Sequence, residues 1–392
     1  MNLIKKYLNK KTIIFTMIAM LLLTSATLAA GSIVKNPHES EYGKFVLGPE
    51  MKIPRYGHHA VLLDDGRVLV VGGVSDKYGT VPYAEIYDPT QNVFILGPKM
   101  SKGFNSQGTI TLLQNGNVLC VYDGDNYALA EIYEPTNNNF ILLDYKFPKE
   151  LRTHTATLLK EGRVLIVGGS DVHAYHKESY LYDPETQKIT RTGDLHAGRR
   201  YHKAVLLDND KVWIVSGQRD DGKHEITELY DPKTGKFEEY ISISHSVASG
   251  IITKLNNGKI LFSGGSNENG ITPFLKNKVY DFRDKNFEEV GSLIYKRFGA
   301  RNILFPNNKV MFVGGGRGVN YSEQTYSVAE VYDLEEKKSQ PGGKMHFSRK
   351  NHTTTMLKNG KVIVIGGRGN ADNIRSRSEF FIPLENLSKG GN

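Results

Sequence analysis

The chain has 392 residues, 39% hydrophobic and 23% charged, which is enough apolar content for a sizeable core and excludes a disordered polar chain. Its formal charge of +8 falls to 8 − 4 = +4 when Lys5, Lys6, Lys10 and Lys11 near the N-terminus are set aside, and the remaining excess forms no block, so a nucleic-acid partner is not expected. Cys120 is the single cysteine, which excludes an internal disulfide; between Leu119 and Val121 it reads as a buried, inert thiol, and stability has to come from packing.

Residues 1–29 read as a secretory signal peptide. The four lysines precede an apolar run from about Ile13 to Leu23, and Thr27-Leu28-Ala29 offers small residues for cleavage after Ala29. The chain is therefore expected to be exported, periplasmic or secreted. The alternative is an uncleaved membrane anchor, since the 18 residues 12–29 carry no charge. No cysteine follows the apolar run, which argues against a lipid anchor, and no other apolar run is long enough to span a bilayer. Residues 30–43 read as a polar linker, 44–388 as one repeat domain and 389–392 as a tail.

The repeat is most complete from Arg55 to Phe94. It has a polar lead-in, an apolar strand ending Leu62-Leu63, the turn Asp64-Asp65-Gly66-Arg67, a second strand Val68 to Val71 running into Gly72-Gly73, a polar loop, then Glu85-Ile86-Tyr87-Asp88-Pro89 and Phe94. The first doublet position recurs as Gly72, Tyr122, Gly168, Ser216, Gly264, Gly314 and Gly366, a period of 46 to 52 residues. The doublet is degenerate in the second copy, Tyr122-Asp123, and in the fourth, Ser216-Gly217. The tyrosine recurs as Tyr87, Tyr133, Tyr182, Tyr230, Tyr280 and Tyr332, with Phe381 in the last copy.

Short β-branched runs without helical spacing, such as Val362 to Ile365, give four strands per copy. Pairs such as Asp65-Gly66, Asn115-Gly116 and Asn359-Gly360 suit the positive φ of two-residue hairpin turns between the first two strands. One such sheet cannot bury both faces, so the copies are expected to stack radially into an all-β propeller. Phe45 to Met51 repeats the pattern of Phe94 to Met100 as a fourth strand without its first three, while the last copy has three strands and lacks a fourth. An N-terminal strand that completes the last blade would close a seven-bladed ring and remove its open edges. A six-bladed ring is the alternative if the degenerate second copy is not a blade.

The glycine doublet followed by a tyrosine and a spaced aromatic resembles the kelch repeat, and the resemblance covers nearly all of the chain beyond the leader. It implies a propeller whose long loops, at about residues 74–82, 170–177, 218–224, 266–276, 316–327 and 368–377, share one face where function is expected. The lead-ins to the first strands bring Arg55, His58, Arg152, His154, Arg199, Arg200, His202, His245, Arg297, Arg301, Arg349 and His352 to that face. They admit two readings. The kelch consensus implies bonds to backbone carbonyls between blades, whereas unpaired guanidinium groups around the axis would make a pocket for carboxylates or phosphates.

Sharper chemistry finds less support. Arg200-Tyr201-His202 is similar to the stretch that carries the radical tyrosine in galactose-oxidase-like copper enzymes. Their cross-linking cysteine has no counterpart in residues 153–159, and the domain that supplies a copper-binding histidine is missing. Asp171, His173 and His176 have a spacing that could serve zinc but lack a third strong ligand nearby. Asp123-Gly124-Asp125, with Glu134 at the twelfth place, has Ala128 where a calcium loop needs glycine. No metal or other cofactor is expected. Two functions remain. One is a module that binds a glycan, an acidic small molecule, a peptide or a protein on the long-loop face. The other is a cofactor-free carbohydrate epimerase, as the resemblance to periplasmic sialic-acid mutarotases, whose ring is six-bladed, implies.

Overall fold

The structure, a computed structural model, describes residues 36–243, 250–264, 275–317, 324–370 and 373–384. The leader read at 1–29, the tail at 389–392 and His245 lie outside them. Residues 38–384 form seven four-stranded antiparallel sheets arranged as the blades of a propeller. Blade 1 consists of Tyr56–Leu62, Val68–Ser75, Tyr83–Asp88 and Val93–Lys99. The degenerate second copy is a complete blade, Thr109–Leu112, Val118–Asp123, Ala128–Glu134 and Asn139–Leu142, which decides for seven over six. First strands touch the first strands of neighbouring blades and so line the axis.

The second strands show why the sequence needs a ring. Val68, Leu69, Val70 and Val71 are all fully buried. Val68 and Val70 pack with Ile363 and Ile365 of blade 7, whereas Leu69 and Val71 pack with Val118 and Cys120 of blade 2. The period-two alternation of a strand thus serves two neighbours at once. Each such side chain contributes roughly 1.5–3 kcal/mol of gross burial, and none of it is available to a lone sheet. Cys120 sits in this core, and burial pushes its thiol pKa up, so it stays protonated.

The tyrosine and the aromatic seven residues later face each other across the third and fourth strands. Tyr87 pairs with Phe94, Tyr133 with Phe140 and Tyr230 with Phe237, at ring-centroid distances of 5.3, 5.1 and 4.8 Å. In blade 7 the partner comes from the other end of the chain. Gly43–Glu50 runs antiparallel to Arg377–Pro383, with Phe45 opposite Phe381 at 5.1 Å. This pairing closes the ring. Part of the segment read as linker also belongs to blade 7: Glu39–Ser40 pairs with Lys44 and Gly43, and the His38 ring stacks on His346 at 3.8 Å.

The hairpins between first and second strands differ from the two-residue turns expected. Leu63 N–H bonds the Arg67 carbonyl at 2.8 Å and Gly66 N–H bonds the Leu63 carbonyl at 2.9 Å, which leaves a three-residue loop, Asp64-Asp65-Gly66. The last loop residue alone takes a positive φ, +91° at Gly66, +71° at Asp210 and +61° at Asn308, as in a type I turn closed by a bulge.

Closure generates a test. Phe45→Ala empties a buried site that links the two ends of the chain, so it should destabilise the whole propeller by about 3–5 kcal/mol, read as a lower urea midpoint with an unchanged slope. An unaltered midpoint would mean that the ring does not depend on this strand.

Candidate functional site

Four of the expected arginines are interior struts. Arg55, Arg199, Arg297 and Arg349 are 0–4% exposed. Arg55 Nη1 donates to the carbonyls of Gly72 (3.0 Å) and Tyr83 (2.9 Å), and its Nη2 donates to Glu85 Oε1 at 3.0 Å. Arg349 repeats the pattern with Gly366 O (2.8 Å), Arg377 O (2.7 Å) and Glu379 Oε1 (2.8 Å). Arg199 does so with Ser216 and Glu228, and Arg297 with Gly314 and Glu330. Each glutamate also accepts backbone N–H groups of the lead-in, as Glu85 does from Lys52 (2.6 Å) and Ile53 (3.0 Å). Burial lowers the Arg55 pKa and raises that of Glu85, each opposed by the attraction between them. Such a pair sets position and costs about as much to desolvate as it returns.

The arginine ring expected at the mouth is therefore not a ligand site, because its side chains are buried and most of their donors are taken up within the blades. The signal that identifies the partner is the glutamate two residues before the repeat aromatic, at Glu85, Glu228, Glu330 and Glu379. Arg152 is out of phase with the other four. It pairs in register with Ser170, as Arg200 does with Gln218, while Leu151 holds the strut position. Arg152 is partly exposed and reaches Asp123 at 3.2 Å and Glu150 at 2.9 Å. Arg200 donates from Nε to Gln218 Oε1 at 3.0 Å and lies over the Tyr175 ring at 4.4 Å.

The four histidines are buried between blades. His58, His154 and His202 each place Nε2 within 2.8–3.0 Å of a threonine hydroxyl of the preceding blade, at Thr353, Thr109 and Thr155. His154 Nδ1 bonds the Leu151 carbonyl, so Nδ1 carries the proton and Nε2 accepts from Thr109. Burial pushes its pKa down to about 4 and lowers those of His58, His202 and His352 well below the ordinary value. These rings are neutral spacers. At the threonine position in front of His352 stands Arg301, whose charge also lowers the His352 pKa.

What the fold brings together is a recess of about 540 Å³ on the axis. Its rim comes from the lead-ins, with Ser106, Gln107, Thr153, Tyr201, Phe298, Gly299 and Asn351. Thr153, Tyr201, Gly299 and Asn351 share φ values of +54° to +66°, unusual for the three that are not glycine. Backbone bonds join lead-ins of successive blades here, from Gly57 N to Asn351 O (2.8 Å) and from Asn351 N to Gly299 O (3.0 Å). Below the rim, one register position recurs at the head of each first strand, and in five blades it lines the recess. It holds His59, Thr109, Thr155, Lys203, Ile251, Arg301 and Thr353 in blades 1 to 7. Among the described residues that line the recess none is Asp or Glu. Sequence reasoning placed Arg301 at this face but overlooked Lys203 and His59, whose roles depend on strand register.

The other motifs do not assemble. His173 is exposed while His176 is buried 3.5 Å from Asp171, whose carboxylate accepts the backbone N–H groups of His173 and Ala174. Asp123 accepts the Leu151 N–H and pairs with Arg152, and burial pushes its carboxyl up to about 6. Among the described residues no three His, Cys, Asp or Glu side chains converge as a metal would require. The residues also do not fit a copper centre of the galactose-oxidase kind. Tyr201 stands at the rim, 44% exposed, whereas Cys120 is locked in the core between blades 1 and 2.

Comparison with known proteins agrees on the architecture. Residues 55–101 match the family described as Kelch motif. Comparison with curated proteins returns no match. Among solved structures, the chain is similar to a fungal alcohol oxidase of the AA5 family in complex with copper, with TM-score 0.70 and 15% identity over 90% of this chain and 79% of that one. It is also similar to YjhT, with TM-score 0.54 and 13% identity over 85% and 96% of the two chains. At these identities the likeness is one of fold.

Two tests follow from the buried groups. Arg349→Ala leaves Glu379 buried without its counter-charge and should cost about 3–5 kcal/mol, while Arg152→Ala, at a partly exposed pair, should cost about 1 kcal/mol or less. Equal losses on urea denaturation would refute the assignment of struts. The second test is pH. His154 binds a proton in the unfolded chain near its ordinary pKa of 6.5 but in the fold only near 4, so its contribution is complete above about pH 6.5 and is lost as pH falls toward 4. The loss should reach on the order of 3 kcal/mol for this ring. His154→Gln should flatten the profile of urea midpoint between pH 7 and 4.5, and an unchanged profile would show that this ring does not resist protonation.

Proposed function

The chain is a seven-bladed β-propeller in which residues 55–101 match the Kelch motif, and from that premise we propose that it works as a binding module, holding a glycan, peptide or protein partner where the axial recess opens. The observation that carries this reading is the make-up of the recess. Hydroxyl and amide side chains, Ser106, Gln107 and Asn351, line it together with the exposed ring of Tyr201. Amide and hydroxyl donors give orientation, and an exposed aromatic face gives contact area at low entropic cost. A cofactor-free sugar epimerase needs a positioned acid and base, and the carboxylates that could serve are held elsewhere. Glu85, Glu228, Glu330 and Glu379 are engaged by arginines, and Asp123 by Arg152.

The test is a screen of glycans, peptides and acidic metabolites by thermal shift on the full chain, since a ligand that binds only the folded state raises its melting temperature. Tyr201→Asn removes the rim ring and keeps a residue type that tolerates positive φ. It should weaken the hit about ten-fold, roughly 1.4 kcal/mol, at unchanged melting temperature of the free protein. Unchanged affinity in this variant, or turnover of the hit by the wild-type chain, would overturn the reading.

A further inference from the structure

We propose that Lys203 and Arg301 form an anion site inside the axial channel that takes a compact dianion, such as inorganic phosphate or a small dicarboxylate. The two occupy the same register in blades 4 and 6, one on each side of Ile251 in blade 5, and both line the recess. The inference rests on the reading of the recess as the binding site and adds the class of ligand.

The chain pairs its strut arginines with carboxylates. Arg55, Arg199, Arg297 and Arg349 each meet a glutamate. Arg301 meets none. Among the described residues its Nη1 donates to the neighbouring Ala300 carbonyl at 3.2 Å, which leaves most of its five donors unused. Lys203 has no hydrogen-bond or ion-pair partner among the described residues. Its side chain is exposed to the lumen yet walled by protein, so it is both reachable and partly desolvated. Burial and the nearby Arg301 charge lower its pKa, and burial lowers that of Arg301. Two uncompensated like charges in a confined space are unfavourable unless a counter-charge joins them.

The surroundings offer no such counter-charge. The seven first strands contain no Asp or Glu at all, so nothing on the channel wall competes with an incoming anion. Ala156, Ala204 and Val205 also line the recess and carry no charge. A monoanion would compensate one cation, whereas a dianion compensates both. A low-dielectric channel of one sign also focuses its field on such a ligand. Charge-assisted hydrogen bonds from guanidinium and ammonium would hold its oxygens.

The experiment titrates inorganic phosphate, malonate and acetate into the full chain against sodium chloride at matched ionic strength, by calorimetry and thermal shift, in wild type, Arg301→Gln, Lys203→Met and the double variant. Phosphate, malonate or both should bind saturably to wild type and more tightly than acetate, and each single variant should weaken the dianion at least ten-fold. Without added anion the single variants should melt at or above wild type, because each removes an uncompensated charge. That combination separates them from strut variants, which lose stability. Phosphate alone or malonate alone would both support the site and tell its two sources apart. The proposal is overturned if no dianion binds saturably, if binding survives in the double variant, or if both single variants unfold. Silent dianions alongside a screened ligand that still weakens in Tyr201→Asn would remove the anion site and leave the binding-module reading standing.

Discussion

The ring is held by a contact too close for a side chain. The second glycine of a doublet donates its N–H to a carbonyl of the next blade, from Gly169 to Arg199 at 2.8 Å, from Gly315 to Arg349 at 2.8 Å and from Gly367 to Arg55 at 2.9 Å. A Cβ on the first glycine would lie 2.5 Å from the Arg349 or Arg55 carbonyl oxygen at Gly314 or Gly366. The residue whose carbonyl is used is the strut arginine, and its guanidinium reaches inward to the first doublet carbonyl of its own blade. Each such arginine thus joins two blades through its backbone and fixes its own blade through its side chain. Doublet, arginine and glutamate are one device, repeated where all three residues are present.

The departures from this device are informative. Ser216 takes a doublet position with φ of +62°, a conformation that glycine adopts freely and serine does not. In blade 2, Tyr122 stacks on Phe104 at 4.8 Å, and Asp123 turns to the lead-in of blade 3. In blade 3 Tyr180, and in blade 5 Lys278, stand at the position that holds glutamate in the other five blades, and no arginine occupies the strut position of blade 3. Blade 3 thus lacks both partners, whereas blade 2 keeps Glu131, 1% exposed, with no arginine at the strut position and with the Ser101 N–H on its Oε1 at 2.9 Å.

Much of the architecture was legible because it rests on short-range regularities. Strand alternation, the seven-residue step from Tyr87 to Phe94 and the orphan strand around Phe45 are visible without coordinates. The hairpin type was missed by one residue, since Asp65-Gly66 is compatible with both a two-residue and a three-residue loop. The arginines were misjudged as candidates for the mouth for a different reason. Their carboxylate partners lie about thirty residues further on, as Glu85 does from Arg55, and spacing along one strand does not reveal a contact across a sheet. Lys203 and Arg301 share a register, not a motif, so their common place on the axis emerges only when the strands of separate blades are aligned.

Closure by the first strand also fixes the order in which the molecule can be completed. Phe45 is synthesised before the six other blades and its partner Phe381 after them, so the outer strand of blade 7 waits without a partner while six blades are being made. The contact joins residues far apart in sequence, which makes ring closure the slow, non-local step of folding. Until it occurs, the third strand of blade 7 presents a free edge able to pair with another chain. The six blades made in between therefore form an open fan, and the ring closes only when the last strands join the first.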